Sequence, residues 1–269
     1  MPIQVAYCLM ALVVPFYMLF NRQGYRSIYQ LGRRLGYPPI RDFLFVYRNH
    51  FRFGQIILDR FRAYAGKKFQ FTFEGLEQFN SLEESPSGFV QLSSHVGNYE
   101  MAGYALTPKG KRLNALVYAG ETETVMHNRE RMLSAHNMTM IPVRNDMSHL
   151  FLANNALDDG EIVSMPADRL FGSTKHIECL FFDQKASFPM GPFAMAASKG
   201  VPALAVFVMK RSTYSYHIIV RQLERDPESN IRTQSAALAQ SFAEALESVV
   251  RRYPEQWFNY FDFFESQHQ

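Results

Sequence analysis

The segment from Ser94 to Glu100 carries the residue types best suited to acid–base chemistry in this chain. It reads Ser-His-Val-Gly-Asn-Tyr-Glu and follows Phe89–Leu92, a short apolar run that is typical of a buried strand. Loops at the carboxyl ends of strands in α/β sheets commonly carry the chemistry, because they open onto a shared crevice. This position predicts a site centred on His95.

His95 and Glu100 can act together only if the backbone between them departs from a regular helix. Five steps on an ideal helix separate two side chains by about 140°, so they would not meet. Gly97 and Asn98 favour the irregular turn that brings them together. Glu100 would then hold one imidazole nitrogen, and the other would take a proton from a hydroxyl or an amine. The alternative is that His95 is satisfied in the core and Glu100 is a solvated residue of the first helical turn.

Strands and helices alternate along most of the chain. We predict strands at residues 68–73, 89–92, 113–119, 138–143, 162–165, 201–209 and 214–223, the last two as antiparallel neighbours. We predict helices at residues 43–61, 99–106, 121–135, 147–157 and 192–198, and a last helix with Leu238, Phe242 and Leu246 on one stripe. Residues 181–188 are expected to be extended or irregular. This order predicts an α/β fold with a mixed, largely parallel sheet flanked by helices.

The N-terminal segment indicates contact with a membrane. The run from Ile3 to Phe20 has 18 residues without a charge, which is the lower limit for spanning a bilayer. We expect an anchor or a half-inserted helix, and the alternative is a buried core helix. A cleaved signal peptide is disfavoured, because no Lys or Arg precedes the apolar run.

The segment that follows is strongly basic. Residues 21–52 contain seven arginines against a single acidic residue, Asp42, with apolar and aromatic residues between them. Such a stretch fits an interfacial helix on anionic lipid, and the excess of arginine predicts that the rest of the chain lies in the cytoplasm. A solvated basic face and an RNA-binding patch are the alternatives. We therefore predict a membrane-associated helical segment over residues 1–40 and a catalytic domain over residues 41–269.

Composition and absent motifs narrow the function. The chain has 269 residues, a net charge of +3, 24 Phe, 14 Tyr and 13 Met, which indicates a large apolar core, an apolar ligand or a membrane contact rather than nucleic-acid binding. It has no glycine-rich nucleotide-binding motif and no G-x-S-x-G elbow. Cys8 and Cys179 form no zinc pattern, and His127, His136 and His149 lack ligand spacing, so we expect no metal site.

Several further blocks accompany the H-x4-E pattern. They follow in chain order as I-P-V at 141–143, M-P-A-D-R at 165–169, F-P-M-G-P at 188–192, V-P-A-L-A-V at 201–206 and Y-P-E-Q-W at 253–257. Together these blocks resemble the lysophospholipid acyltransferase superfamily, and most closely its bacterial lipid A late-acyltransferase branch. The resemblance covers roughly residues 40–262.

The resemblance implies an acyltransferase at the cytoplasmic face of the inner membrane. Such enzymes move a fatty acyl group from an acyl carrier protein or coenzyme A thioester to a hydroxyl, occasionally an amine, of a membrane lipid. His95 would be the general base and Glu100 its orienting partner, with the thioester as co-substrate and no other cofactor. Substrate-binding roles are expected for Asn98, Arg129, Arg131, Asp168 and Arg169, the arginines being candidates to stabilise the oxyanion. A further set of Phe and Met side chains would either line a groove for the acyl chain or belong to the core: Phe171, Phe181, Phe182, Phe188, Met190, Phe193 and Met195.

Other functions remain open at this point. An N-acyltransferase that makes an aminolipid differs only in the acceptor, and a thioesterase would release free fatty acid without one. A non-catalytic lipid-binding protein of the same fold would behave normally after His95→Ala and would retain bound lipid.

Overall fold

The strands are confined to the part of the chain after residue 69. The structure, a computed structural model, describes residues 2–118, 137–144, 146–170, 175–261 and 263–264. Its strands are β1 (Gln70–Glu74), β2 (Phe89–Ser93), β3 (Leu113–Tyr118), β4 (Met138–Val143), β5 (Ile162–Pro166), β6 (His176–Phe181), β7 (Gln184–Pro189), β8 (Ala203–Lys210) and β9 (Ser215–Gln222). Its α-helices are α1 (Ile3–Phe20), α2 (Arg22–Arg34), α3 (Pro39–Tyr64), α4 (Leu76–Glu84), α5 (Ala102–Ala105), α6 (Ser148–Asp158), α7 (Met190–Lys199) and α8 (Ile231–Arg252).

Seven of these strands form one sheet in the order β1-β9-β8-β2-β5-β3-β4. The five strands from β8 to β4 are parallel, whereas β8 and β9 pair antiparallel and β1 runs parallel to β9. The predicted mixed, largely parallel sheet is therefore confirmed, as is the antiparallel pairing of the last two strands. The carboxyl ends of β2, β5 and β8 lie together at one edge of the sheet.

The sheet has a core on each of its two faces. Every residue of β8 is buried, and its side chains alternate between the two apolar clusters. Phe207 joins the cluster that contains the predicted stripe of α8, with Phe242 at its centre. Val208 joins the opposite cluster, which includes Ile56 of α3. This alternation follows from the two-residue period of a strand, and it places the second half of α3 on one face and α8 on the other.

Two local predictions differ from the structure. Residues 181–188 belong to a β6–β7 hairpin, whose turn places Phe182 and Asp183 at φ of +52° and +60°. Because neither of these residues is a glycine, the sequence shows no sign of a tight turn at this point. The hairpin was therefore not predicted. The helix predicted at 99–106 is a 3₁₀ turn at Tyr99–Met101 followed by α5. The helix predicted at 121–135 lies outside the described residues.

The first three helices pack together beside the sheet. The Tyr7 ring meets the Phe51 ring edge-on at 6.2 Å, and the Tyr47 hydroxyl donates to the Ala11 carbonyl at 3.2 Å. Most of α1 nevertheless faces outward, so it is apolar without being buried: its exposed large residues are Val5, Leu9, Leu12, Val13, Phe16, Tyr17, Leu19 and Phe20. Within the described residues, α1 alone has the length and apolar composition to cross a membrane.

Candidate functional site

His95 lies in the loop after β2, at the carboxyl edge of the parallel strands. The C-terminal tail holds this loop by backbone hydrogen bonds. The Gly97 N–H donates to the Gln256 carbonyl at 2.8 Å, and the Phe258 N–H donates to the His95 carbonyl at 3.0 Å. The tail block Y-P-E-Q-W thus has a structural role, because it fastens the loop that carries the imidazole.

Gly97 is required by the close approach of β8 to this loop. Its φ is +63°, and a Cβ atom built there would lie 2.0 Å from the Val208 carbonyl oxygen. The next residue, Asn98, donates its N–H to that same carbonyl at 2.8 Å. Only a residue without a side chain fits this position, which accounts for the glycine two residues after His95.

Asp168 binds His95 through both of its carboxylate oxygens. Its Oδ1 lies 2.8 Å from the imidazole Nδ1, and its Oδ2 accepts the His95 backbone N–H at 2.7 Å. Strand pairing explains the contact: β2 and β5 are parallel neighbours with Ser93 opposite Pro166, so the two loops leave the sheet side by side. The carboxylate is 2% exposed, so water competes little for these bonds.

The electrostatics of this pair set the tautomer of the imidazole. Burial by itself raises the pKa of Asp168, but the His95 ring, its two hydrogen bonds and the Arg169 guanidinium outweigh it and hold that pKa below its ordinary value. An ionised carboxylate only accepts, so the proton of a neutral His95 ring lies on Nδ1 and Nε2 keeps its lone pair. The ring is 25% exposed, and none of the described residues hydrogen bonds to Nε2. This arrangement leaves Nε2 of a neutral His95 ring able to accept a proton.

The predicted pairing of Glu100 with His95 is wrong. The Glu100 carboxylate instead meets the Arg60 guanidinium at 3.2 Å and accepts the Tyr64 hydroxyl at 3.0 Å. Both partners belong to α3. The turn at Gly97 and Asn98 bends the chain as expected, but it directs Glu100 toward α3 and leaves the imidazole facing Asp168.

Asn98 belongs to the same loop, and its side chain is fully buried. Its Oδ1 accepts the Arg60 Nε–H at 3.4 Å, and its Nδ2 donates to the Tyr216 hydroxyl at 3.3 Å. Both ends of the side-chain amide are thereby occupied. These contacts give Asn98 a structural role, and its part in substrate binding stays a prediction.

A buried ionic cluster continues below Asn98. The Tyr216 hydroxyl donates to Asp59 at 2.5 Å, and Asp59 also pairs with the Lys210 ammonium and, at 2.8 Å, with Arg62. Sequence reasoning missed this cluster, although one signal was available: Asp59 lies on the buried stripe of α3, three residues after Ile56. Lys210 ends an otherwise apolar strand, and only the folded sheet brings the two charges together.

Arg169 lies directly beside the pair, but its guanidinium is partly engaged. Its Nη2 donates to the Phe258 carbonyl at 2.9 Å, and it lies over the Phe261 ring at 5.2 Å. Its Nε is buried and finds no hydrogen-bond partner among the described residues. Burial lowers the pKa of Arg169, with Asp168 opposing that shift. Arg129 and Arg131 lie outside the described residues.

The aromatic residues proposed for an acyl groove mostly belong to the core. Phe181, Phe188 and Phe193 are fully buried, and Phe181 meets the Trp257 ring edge-on at 5.6 Å. Phe182 and Met195 are also buried, Met190 is half-buried, and Phe171 lies outside the described residues. Within the described ranges, no three His, Cys, Asp or Glu side chains assemble as a metal-ligand set.

Comparison with known proteins identifies the family. The sequence model of the bacterial lipid A biosynthesis acyltransferases matches residues 52–262. A crystal structure of the 1-acyl-sn-glycerophosphate acyltransferase PlsC from Thermotoga maritima is similar with a TM-score of 0.45 and 13% identity, over 94% of this chain and 98% of that one. No curated protein matches this chain. Because the family match spans well over half of the sequence, the chain belongs to the bacterial lipid A biosynthesis acyltransferase family and is an acyltransferase.

Proposed function

We propose that this acyltransferase moves a fatty acyl group from the thioester of an acyl carrier protein or coenzyme A to a hydroxyl of a membrane glycolipid, in a late acylation of lipid A. The family supports an acyl thioester donor and a lipid acceptor in general terms. The observation that carries the proposal at the level of residues is the pairing of His95 with Asp168. That pair supplies a base with a defined tautomer at the open edge of the sheet.

The proposed reaction uses the free Nε2 of His95. Nε2 of His95 takes the proton of the acceptor hydroxyl as its oxygen attacks the thioester carbon. The tetrahedral intermediate collapses with cleavage of the carbon–sulfur bond, and the imidazolium returns the proton to the leaving thiolate. An ester and a free thiol result. No covalent acyl-enzyme is needed, because the thioester is already activated.

Asp168 acts in this scheme as a positioning residue. It holds the ring through Nδ1 and stabilises the imidazolium that forms during proton transfer. The developing oxyanion needs a nearby cation, for which Arg169, Arg129 and Arg131 are the candidates. No cofactor is required beyond the thioester co-substrate, and no metal.

We further propose that the enzyme works on the cytoplasmic face of the inner membrane. Like the outward side of α1, the start of α3 exposes apolar side chains, namely Ile40, Phe43 and Leu44. Exposed arginines lie on α2 and α3 at Arg22, Arg26, Arg33, Arg41 and Arg48. Apolar residues bordered by arginines suit insertion into a leaflet that contains anionic lipid. On this proposal residues 1–40 form the membrane segment and residues 41–269 form the catalytic domain.

Lipid mass spectrometry tests the transfer. Cells that lack this protein are compared with the same cells carrying the wild type, His95→Ala or His176→Ala, at matched expression. His176 is an exposed histidine of the β6–β7 hairpin, so its variant controls for loss of a histidine as such. We expect the wild type and His176→Ala to add one acyl mass to a glycolipid, and His95→Ala to add none.

The other outcomes are equally specific. Full transfer by His95→Ala would refute His95 as the base. An acyl mass found on an amine would reassign the enzyme as an N-acyltransferase, and free fatty acid without an acylated lipid would reassign it as a thioesterase.

Vesicle sedimentation tests the membrane proposal. The purified chain should sediment with vesicles that contain anionic lipid, and the double substitution Phe16→Ser with Leu19→Ser should weaken that binding. Undiminished sedimentation would place the contact elsewhere.

A further inference from the structure

The loop that carries His95 is bound by its side chains to the end of α3. Arg60 is the centre of this contact: its guanidinium pairs with Glu100 at 3.2 Å, and its Nε donates to Asn98 at 3.4 Å. The side chains of Arg60 and Glu100 are only 20% and 7% exposed, so the pair is shielded from solvent. Tyr64, one turn later on the same helix, donates to Glu100 at 3.0 Å.

A second path joins the same helix to the same loop. Asn98 donates to the Tyr216 hydroxyl, which in turn donates to Asp59 of α3. Two adjacent residues of α3 thus hold the buried side-chain amide of Asn98. Arg60 binds its oxygen directly, and Asp59 binds its nitrogen through the Tyr216 hydroxyl. Lys210 balances the charge of Asp59 from the end of β8. Such a network specifies a single position for the loop, because each polar group would be left unsatisfied in any other.

The other half of α3 belongs to the exposed apolar and basic surface. The helix has 26 residues and is therefore about 39 Å long. Its first turns carry the exposed Ile40, Phe43 and Leu44, and its last turns carry Asp59, Arg60 and Tyr64. One continuous helix therefore connects that surface to the loop that holds His95.

We propose that Glu100 and Arg60 are positioning residues that tether the His95 loop to α3, whereas the imidazole itself is oriented by Asp168. The acid of the H-x4-E pattern then sets the place of the loop, and a different carboxylate sets the tautomer of the base. This inference rests on the proposed function, since it assigns a role in the same transfer reaction. Loss of the tether displaces the base, and a shift of about 1 Å costs up to about 100-fold in rate.

A double-mutant cycle tests the tether. Arg60→Met, Glu100→Gln and the double variant are compared with the wild type for turnover of a long-chain acyl-coenzyme A in the presence of the acceptor found by lipid mass spectrometry. We expect each single variant to lower kcat about 10- to 100-fold with KM little changed, and the double variant to match the weaker single one within about three-fold. Arg60→Lys, which keeps the charge, should recover part of the loss. Lys199→Gln removes an exposed ion pair with Asp158, 2.7 Å long, and serves as the matched control.

Hydrogen exchange gives a readout that does not depend on turnover. The amides of Gly97 and Asn98 donate to Gln256 and Val208, and release of the tether should speed their exchange at least ten-fold in Glu100→Gln but not in Lys199→Gln. This measurement also decides the case if Arg60→Met fails to fold.

Three results would overturn the tether. The first is unchanged kcat in both single variants, and the second is a double variant whose loss equals the product of the single losses. The third is unchanged exchange at the two amides in Glu100→Gln. Failure of the proposed function has a different signature: either the wild type would acylate no lipid or His95→Ala would retain transfer, while the exchange measurement would still report on the loop.

Discussion

Replacement of Asp168 by Asn is the sharpest test of the base. The two carboxylate oxygens accept from His95 at 2.7 and 2.8 Å, one from the backbone and one from the ring. An amide has one acceptor and one donor group. If its oxygen keeps the backbone bond, its NH₂ faces Nδ1 and stabilises the tautomer with the proton on Nε2. That tautomer has no lone pair for the acceptor hydroxyl.

The size of the effect follows from this loss of the correct tautomer. An Asp-to-Asn change beside a catalytic imidazole lowers kcat about 10⁴-fold in serine proteases, and we expect a fall of about 10³- to 10⁴-fold here. This corresponds to about 4–5.5 kcal/mol of activation free energy. Folding should suffer less, because the lost charged hydrogen bonds, worth about 1.5–3 kcal/mol each, are offset by relief from burying a charge.

The assay is single-turnover acyl transfer by purified protein, with Asp158→Asn as the control. Asp158 is an exposed aspartate paired with Lys199, so its variant should retain wild-type kcat. Activity of Asp168→Asn within about five-fold of the wild type, at an unchanged unfolding temperature, would refute the assignment of Asp168. Loss in Asp168→Asn with retention in Glu100→Asp would support the separate roles of the two carboxylates.

Three further outcomes follow from other contacts. Gly97→Ala should lower both transfer and unfolding temperature, because its Cβ would lie 2.0 Å from a carbonyl oxygen; wild-type activity would contradict the close approach of β8. Lys210→Met should lower the free energy of unfolding in urea by about 3 kcal/mol or more, since it leaves the buried Asp59 with less compensation; a loss below about 1 kcal/mol would argue against the buried pair. Arg252, Arg221 and His217 lower the pKa of Glu74 from 4.5 to about 2, so its ionised form stabilises the fold above pH 4.5 and this contribution is lost as the pH falls toward 2. The unfolding temperatures of the wild type and Glu74→Gln should therefore differ at pH 7 and converge near pH 2, and a constant difference would contradict the ion-pair cluster.

Local patterns predicted most strands of the large sheet and placed His95 in the loop after one of them. Apolar runs such as that of β8 and the stripe of α8 predict buried strands and an amphipathic helix, because their periods reflect the geometry of the backbone. His95 was found because it follows a short apolar strand and precedes a glycine. The hairpin at Phe182 and Asp183 was missed because its turn has no glycine and begins with a phenylalanine, which rarely adopts left-handed backbone.

The partner of His95 was a matter of tertiary structure. Glu100 is five residues away in the sequence, whereas Asp168 is 73 residues away and reaches the imidazole because β2 and β5 are neighbours. The sequence contained the M-P-A-D-R block, but it could not say which nitrogen, oxygen or backbone group that aspartate would meet. Pairing between strands is set by the packing of the whole sheet, so no local spacing reports it.

By itself the sequence determined the family resemblance, the α/β class, the apolar N-terminal helix with its arginines and His95 as the candidate base. Only the tertiary structure decided that Asp168 orients His95, that Glu100 and Asn98 bind α3, and that Asp59 meets Lys210. The physical reason is that propensity and periodicity act over a few residues, whereas the direction of a buried polar side chain depends on partners that distant strands and helices bring to it.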